Sequence, residues 1–302
     1  MQPNKYQLLS EGLYIQTITP EYRLLSLIEK LRPVRADLDL IRIGSDSDGG
    51  YLVPNDLNGI SACFSPGVGP TSSFEEDLFT RFSIPSHLCD YSVNGPPGNF
   101  KPASFEKKFL GATEDDRFTT LNNWMEKSPE YDLETDLILQ MDIEGGEYTA
   151  ILSTEEDKLK RFRIIIVEFH NAEHWSDPAF FEIADSTFSK LLKHFYVLHI
   201  HPNNYGNLLR LGQVIVPDVF ELSLVRKDRC APIGNPETLP HALDRPCNPN
   251  NPEIILPEYW HKQSTSRFSS TQFVFDEIYR GRQWGGTPER MSSGPGSHQQ
   301  HI

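Results

Sequence analysis

The stretch LILQMDIEGGEYTAIL, residues 137–152, sets three carboxylates and two glycines at the end of an apolar run. Leu137–Met141 reads as a buried strand, and a strand tip gains no stability from Asp142, Glu144 and Glu147 together. Carboxylates gathered there can hold a cofactor amine, a substrate hydroxyl or a metal ion, and Gly145 and Gly146 let the chain turn without side-chain bulk. The competing reading is that these acids only favour the positive end of a helix starting near Glu147.

A second stretch, CFSPGVGPTSSFEEDL, carries a strand into Gly67-Val68-Gly69 and on to a helix that Ser72 and Ser73 can cap. Glycines at a strand-to-helix crossing allow close approach of a ligand at the carboxyl edge of an α/β sheet. Pyrophosphate would want a third glycine and no acid at the helix start. Glu75 and Glu76 stand there instead, which favours a cationic group. The next strand ends in HLCDYSV, where Asp90 can accept the ribose hydroxyls of an adenosine cofactor.

The elements that must position these residues follow from hydrophobic pattern. Short apolar runs expected as strands are Ser61–Pro66, His87–Val93, Lys107–Leu110, Leu137–Ile143, Arg163–Phe169 and Tyr196–Ile200. A last run, Val219–Arg226, alternates like a half-exposed antiparallel edge. Helical patterns fall at Glu21–Leu31, Ser73–Phe82, Arg117–Lys127, Glu147–Leu152 and Asp177–His194. This alternation predicts an α/β fold with a mostly parallel sheet, an antiparallel last strand and helices on both faces. With the fourth strand beside the first, Asp142 and Glu144 face the Gly67–Gly69 loop. Residues 1–59 form an N-terminal helix and loop extension, 60–228 the sheet domain, and 229–302 an irregular arm dense in Pro and Asn.

The chain of 302 residues carries 28 basic and 42 acidic side chains, a formal charge of -14, with no dense basic block. Nucleic acid and anionic membrane are therefore not expected as partners. No apolar stretch is long enough to span a membrane, and the N-terminus lacks a signal-peptide pattern. The scattered Cys63, Cys89, Cys230 and Cys247 read as reduced thiols of a cytoplasmic protein.

MDIEGGEYTAIL followed by RIIIVEFHN resembles the FkbM-type S-adenosylmethionine-dependent methyltransferases, whose mark is a D-x-E-G-x-E turn after the fourth strand. IGSDSDGGYLVP, SPGVGPTSSFEEDL, CDYSV and LHIHPNN resemble a branch of that family, so the likeness spans about residues 41–228. The resemblance implies a Rossmann-like methyltransferase sheet, S-adenosylmethionine as methyl donor, and O-methylation of a sugar, glycan or other small molecule. It places Ser65, Gly67, Gly69, Asp90, Asp142 and Glu144 at the cofactor, and the D-G-G-Y segment near the cofactor cleft. Pro66 departs from the small or acidic residue common before the glycine turn.

Transfer to an alcohol needs the hydroxyl deprotonated or nearly so. Candidates stand at the last strand tips: Glu168, His170 and Asn171, then His199, His201, Asn203 and Asn204. A histidine near neutrality is the ordinary general base, so His170 or His201 is expected in that role, with Asp142, Glu144 and Glu168 as substrate carboxylates. A divalent metal on Asp142, Glu168 and His170 would instead lower the hydroxyl pKa. FDEIYRGRQWGGTPERMSSGPGS, residues 275–297, is similar to the opening of a second methyltransferase type, which raises the alternative of a non-catalytic, methyltransferase-like binding module within a tandem protein.

Overall fold

The computed structural model describes residues 5–12, 16–97, 100–236 and 238–262; the tail motif at 275–297 lies outside them. Seven strands form one sheet: β1 Ile60–Pro66, β2 Ser86–Cys89, β3 Ser104–Glu106, β4 Asp136–Met141, β5 Phe162–Phe169, β6 Phe195–Pro202 and β7 Phe220–Arg226. Their spatial order is β6-β7-β5-β4-β1-β2-β3, and every pairing is parallel except those of β7 with β5 and β6. The expected neighbourhood of the first and fourth strands is present. The last strand is antiparallel as expected, but it is not an edge: it fills the slot between β5 and β6.

Burial explains both the strands and that correction. β5, FRIIIVEF, is buried at every position, as a strand covered on both faces must be. In β7 the alternating Glu221 and Ser223 face a second buried layer rather than water. Ser223 donates its hydroxyl proton to the Leu52 carbonyl, and Glu221 meets His201. The third expected strand, Lys107–Leu110, is not on the sheet: the sheet strand lies just before it at Ser104–Glu106, and Phe109–Gly111 pairs with Phe118–Thr120 instead.

Helices α1 Glu21–Leu31, α2 Ser73–Phe82, α3 Leu121–Glu126, α4 Glu147–Ser153 and α5 Pro178–His194 flank the sheet. The helix expected from Arg117 starts only at Leu121, where the Thr120 hydroxyl caps it by accepting from Asn123 N at 3.2 Å. Strand parity sorts the core. Leu137, Leu139 and Met141 with Ile165, Val167 and Phe169 join α1, α3, α4 and α5 in one apolar cluster. Cys63, Ile138, Ile164 and Ile166 join α2 and the hairpin Leu40–Gly44/Gly50–Pro54 in the other. Continued toward the carboxyl ends, this second face turns polar: Ser65 after Cys63, Gln140 and Asp142 after Ile138, Glu168 after Ile166. The hairpin and the segment from Asp244 to Cys247 lie over that polar band, through Ser223–Leu52, His199–Asp244 and Glu221–Cys247 contacts.

Candidate active site

On the β1 side the turn after Pro66 depends on glycine. Gly67 has φ +83°, and a Cβ there would lie 1.6 Å from the Asp142 carbonyl oxygen, so the turns after β1 and β4 touch backbone to backbone. Gly69, at φ +56°, faces open space and donates its N–H to Asp90 Oδ2 at 2.9 Å. Asp90 is buried at the end of β2, and its Oδ1 accepts from both Ser92 N and Ser92 Oγ at 2.7 Å. The carboxylate therefore shapes the loop, and Oδ2, which accepts one bond, keeps acceptor capacity for a ligand.

Ser65 and Glu75 stand differently from the sequence expectation. Ser65 is fully buried against Glu75 and Gln140 rather than lining the cleft, with its Oγ 2.6 Å from Gln140 Oε1. Burial raises the Glu75 carboxyl above its usual range, against the opposing bond from Ser65. Buried Glu75 thus turns to Ser65 inside the fold rather than to the cleft. Ser72 stands at the N-cap without a side-chain capping bond and instead donates to Glu76 Oε1 at 3.0 Å.

The D-I-E-G-G-E turn closes around Glu147. This carboxylate is fully buried and accepts from Ile143 N at 3.0 Å and from Gly145 N at 3.1 Å. Glu144 (φ +56°) and Gly145 (φ +105°) carry the strained part of the turn. At Gly145 a Cβ would come 2.3 Å from Asn171 Nδ2, which fixes the β4 turn against the β5 turn.

His170 enters this pocket from the end of β5. Its Nδ1 lies 3.2 Å from Glu147 Oε1. Its Nε2 faces Glu144 Oε2 at 3.5 Å, Glu168 Oε1 at 3.5 Å and Asp142 Oδ1 at 3.9 Å. Glu144 is otherwise solvent-exposed, whereas Glu168 is buried and its Oε1 accepts from Asn203 Nδ2 at 2.9 Å. Asp142 Oδ1 and Glu168 Oε2 are buried without a protein partner.

Charge crowding sets the protonation. Burial pushes the Asp142 carboxyl up to about 7; His170 pulls it down, and Glu144, Glu147 and Asp48 push it further up. Burial, followed by the charges of Asp142, Glu221 and Asp48, holds Glu168 well above the carboxylate range. Burial disfavours the charged form of His170, but the bond to Glu147 and the surrounding carboxylates outweigh it and raise its pKa. The group shares protons near neutrality, which suits a site that must accept one.

Asp142, Glu168, His170 and Glu144 come together as expected, and the ligand atoms of Asp142, Glu147 and His170 all lie within 4.8 Å of one another. His201 does not join them. It sits two strands away, beyond Glu221, with Nδ1 3.3 Å from Glu221 Oε2 and Nε2 3.0 Å from Glu253 Oε1. Both ring nitrogens are engaged and the residue is buried, so it is not placed to take a proton from a substrate at the His170 pocket. The D-G-G-Y segment brings Asp48 and Tyr51 to the acidic pocket, and Glu147, which the sequence left open between pocket acid and helix cap, holds His170; sequence reasoning passed over Glu221, whose charge also reaches the pocket. Parity along β5 and β7, Ile164-Ile166-Glu168 and Glu221-Ser223, was the available signal for Glu221.

Residues 76–202 match the family model described as the methyltransferase FkbM domain. Over that span the chain is similar to the FkbM methyltransferases. The FkbM match runs from the first turn of α2 to the last residue of β6 and includes Asp90, the acidic turn, Glu168, His170 and His201. Gly67, Gly69, the hairpin and the residues after β6 lie outside it. No curated protein matches the chain. Among solved structures, the 30S ribosomal A1408 methyltransferase from an uncultured bacterium is similar over 62% of this chain and 100% of that one, at 8% identity and a TM-score of 0.28. That level of likeness carries no argument here. Among the described residues no helix is long and apolar enough to cross a membrane.

An FkbM domain implies S-adenosylmethionine as methyl donor, and the residues present fit it. The Gly67–Gly69 turn offers side-chain-free backbone beside Asp142, and Asp90 offers a carboxylate at the tip of the adjacent strand.

Proposed function

We propose that this domain methylates a hydroxyl on a sugar, glycan or other small molecule, with His170 as the general base and Glu147 as its positioning residue. The observation that carries the reading is the two-sided setting of His170, with Nδ1 on buried Glu147 and Nε2 turned to Glu168, Glu144 and Asp142. In that arrangement Glu147 fixes the ring, and Nε2 is the nitrogen that takes the substrate proton. When bound, S-adenosylmethionine supplies an electrophilic methyl group on a sulfonium. Asp90 and the Gly69 loop hold the ribose, and backbone at Gly67 lies toward the Asp142 turn. Asp142, whose buried Oδ1 has no partner, accepts a hydrogen bond from the acceptor's hydroxyl and holds it over His170.

The strongly acidic chain supports a small acceptor over a nucleic acid. Four cysteines free of disulfides support a cytoplasmic location. The test is transfer of labelled methyl to a panel of polyols and sugars, with wild type and His170→Ala, with and without EDTA. Loss of about 10²- to 10⁴-fold in the variant, with EDTA-insensitive wild-type turnover, is the expected result. Turnover abolished by EDTA would replace the base by a divalent ion on the same carboxylates. Cofactor binding without transfer to any acceptor would favour a non-catalytic binding module.

A further inference from the structure

A second polar cluster lies apart from the proposed base, where the segment around Cys247 crosses the carboxyl end of β6 and the amino end of β7. His201 on β6, Glu221 on β7 and Cys247 on the crossing segment bring a nitrogen, a carboxylate oxygen and a sulfur within 4.8 Å of one another, all three buried. His201 Nδ1 is 3.3 Å from Glu221 Oε2, and Cys247 Sγ is 3.4 Å from Glu221 Oε1. Ligand atoms around a tetrahedral zinc ion stand about 3.3–3.6 Å apart, given metal–nitrogen and metal–sulfur distances of about 2.0–2.3 Å.

The surroundings add what a bare contact would lack. His201 Nε2, the nitrogen facing away from Cys247 and Glu221, meets Glu253 Oε1 at 3.0 Å. A carboxylate on the far nitrogen of a ligating histidine is the usual outer partner that fixes ring and tautomer. On the other side, Glu168 is the direct cross-strand neighbour of Glu221, and the 4% exposed Glu168 leaves Oε2 without a partner. The carboxylates of Glu221 and Glu253 both meet the one imidazole of His201, with a thiol beside them, so the cluster is short of positive charge.

We propose that His201, Glu221 and Cys247 bind a thiophilic divalent cation, zinc by the chemistry of a nitrogen, oxygen and sulfur donor set, with Glu253 as the outer carboxylate and the side toward Glu168 as the fourth position. On binding, Cys247 gives its thiol proton and His201 one ring proton to solvent, so the ion enters with displacement of both. Such a set suits zinc rather than magnesium or calcium, which take oxygen ligands. The site ties three elements. Cys247 also accepts through its backbone carbonyl from Asp48 N at 3.1 Å, and Asn204 holds Asn248 and Asn251 beside it. A metal here staples the segment around residue 247 to the sheet and to the hairpin loop, independently of whether methyl transfer is the activity.

The test uses the full chain expressed with supplemental zinc and purified without chelator. Elemental analysis is expected to find about one zinc per chain, lost in Cys247→Ser and His201→Ala and retained in Cys230→Ser. Because the two buried substitutions can unfold the chain, stripped wild type is also refilled with cobalt(II). A thiolate-to-cobalt charge-transfer band is expected, and Glu253→Gln should keep the band while weakening affinity about 10- to 100-fold. Folded wild type that takes up neither metal would overturn the proposal and leave His201 as a metal-free ion pair. Zinc retained in a folded Cys247→Ser chain would overturn it equally, by placing the ion elsewhere.

Discussion

Asp142 carries a conflict between stability and function that titration can expose. Its folded carboxyl is pushed up to about 7 from an ordinary 3.8 by burial and neighbouring acids. The folded form therefore binds a proton more tightly than the unfolded form between those values, and stability falls as pH rises from about 4 to 7. Asp142→Asn removes that loss. The variant is expected to be more stable than wild type by about 1–2 kcal/mol at pH 7.5, discounted for partial exposure, with the difference gone near pH 4 and turnover impaired. Urea titrations at both pH values check it; equal stabilities at pH 7.5 would count against the crowded-carboxylate account. His170 gives a second pH signature. Its pKa is raised above 6.5 and only the neutral ring accepts a proton, so the turnover profile should climb through a limb above that value, and the limb should move to lower pH in Glu147→Gln. At this scale the sequence shows Asp142, Glu168 and His170 as chemistry-bearing by type and position. It hides that Glu147 holds the ring, because a buried acid in the first helical turn reads equally as a cap, and here it is both.

At the scale of elements, the two glycines of G-V-G separate close packing from conformational freedom. Gly67→Ala drives a methyl into the Asp142 carbonyl and should cost on the order of 3 kcal/mol together with cofactor binding. Gly69→Ala meets open space, and its positive φ alone should cost about 1 kcal/mol. Similar losses for both would show that the turns after β1 and β4 do not touch. The described residues after β7 belong to the fold as much as any helix does. Trp260 is fully buried, lies 6.5 Å from Trp175 in a stacked arrangement, and donates Nε1–H to the Ile215 carbonyl at 3.0 Å. Trp260→Ala is expected to lower unfolding free energy by about 3–5 kcal/mol in urea titration, and a cost under about 1 kcal/mol would mean this segment is loosely laid on the surface. Strands β1, β4 and β5 were legible as apolar runs because both their faces are covered. β7 was read as an edge because Glu221 and Ser223 alternate with leucine, and alternation cannot distinguish water from a buried polar layer. His201 was read as a candidate base for the same reason: pattern places it on the correct face of β6, but not two strands away from the pocket.

At the scale of the whole molecule, the parts needed for a methyl-transfer site come from separated regions of chain. The FkbM match supplies Asp90, the acidic turn and His170, while the glycine turn precedes it and the segment carrying Cys247 follows it. The sheet gathers them because β1 lies between β4 and β2 and because β7 inserts between β5 and β6, so that the polar carboxyl ends form one continuous band. The acceptor was not legible, since the composition of loops and irregular segments is not a code for a substrate. The central claim, a cofactor site formed by the Gly67–Gly69 turn and Asp90, is tested most directly by calorimetric titration of S-adenosylhomocysteine into wild type and Asp90→Ala. The account predicts saturable binding in the micromolar range, weakened at least about 30-fold in a variant that stays folded, or about 2 kcal/mol. Folded wild type that binds no S-adenosylhomocysteine, or an Asp90→Ala chain that binds it equally well, would contradict it.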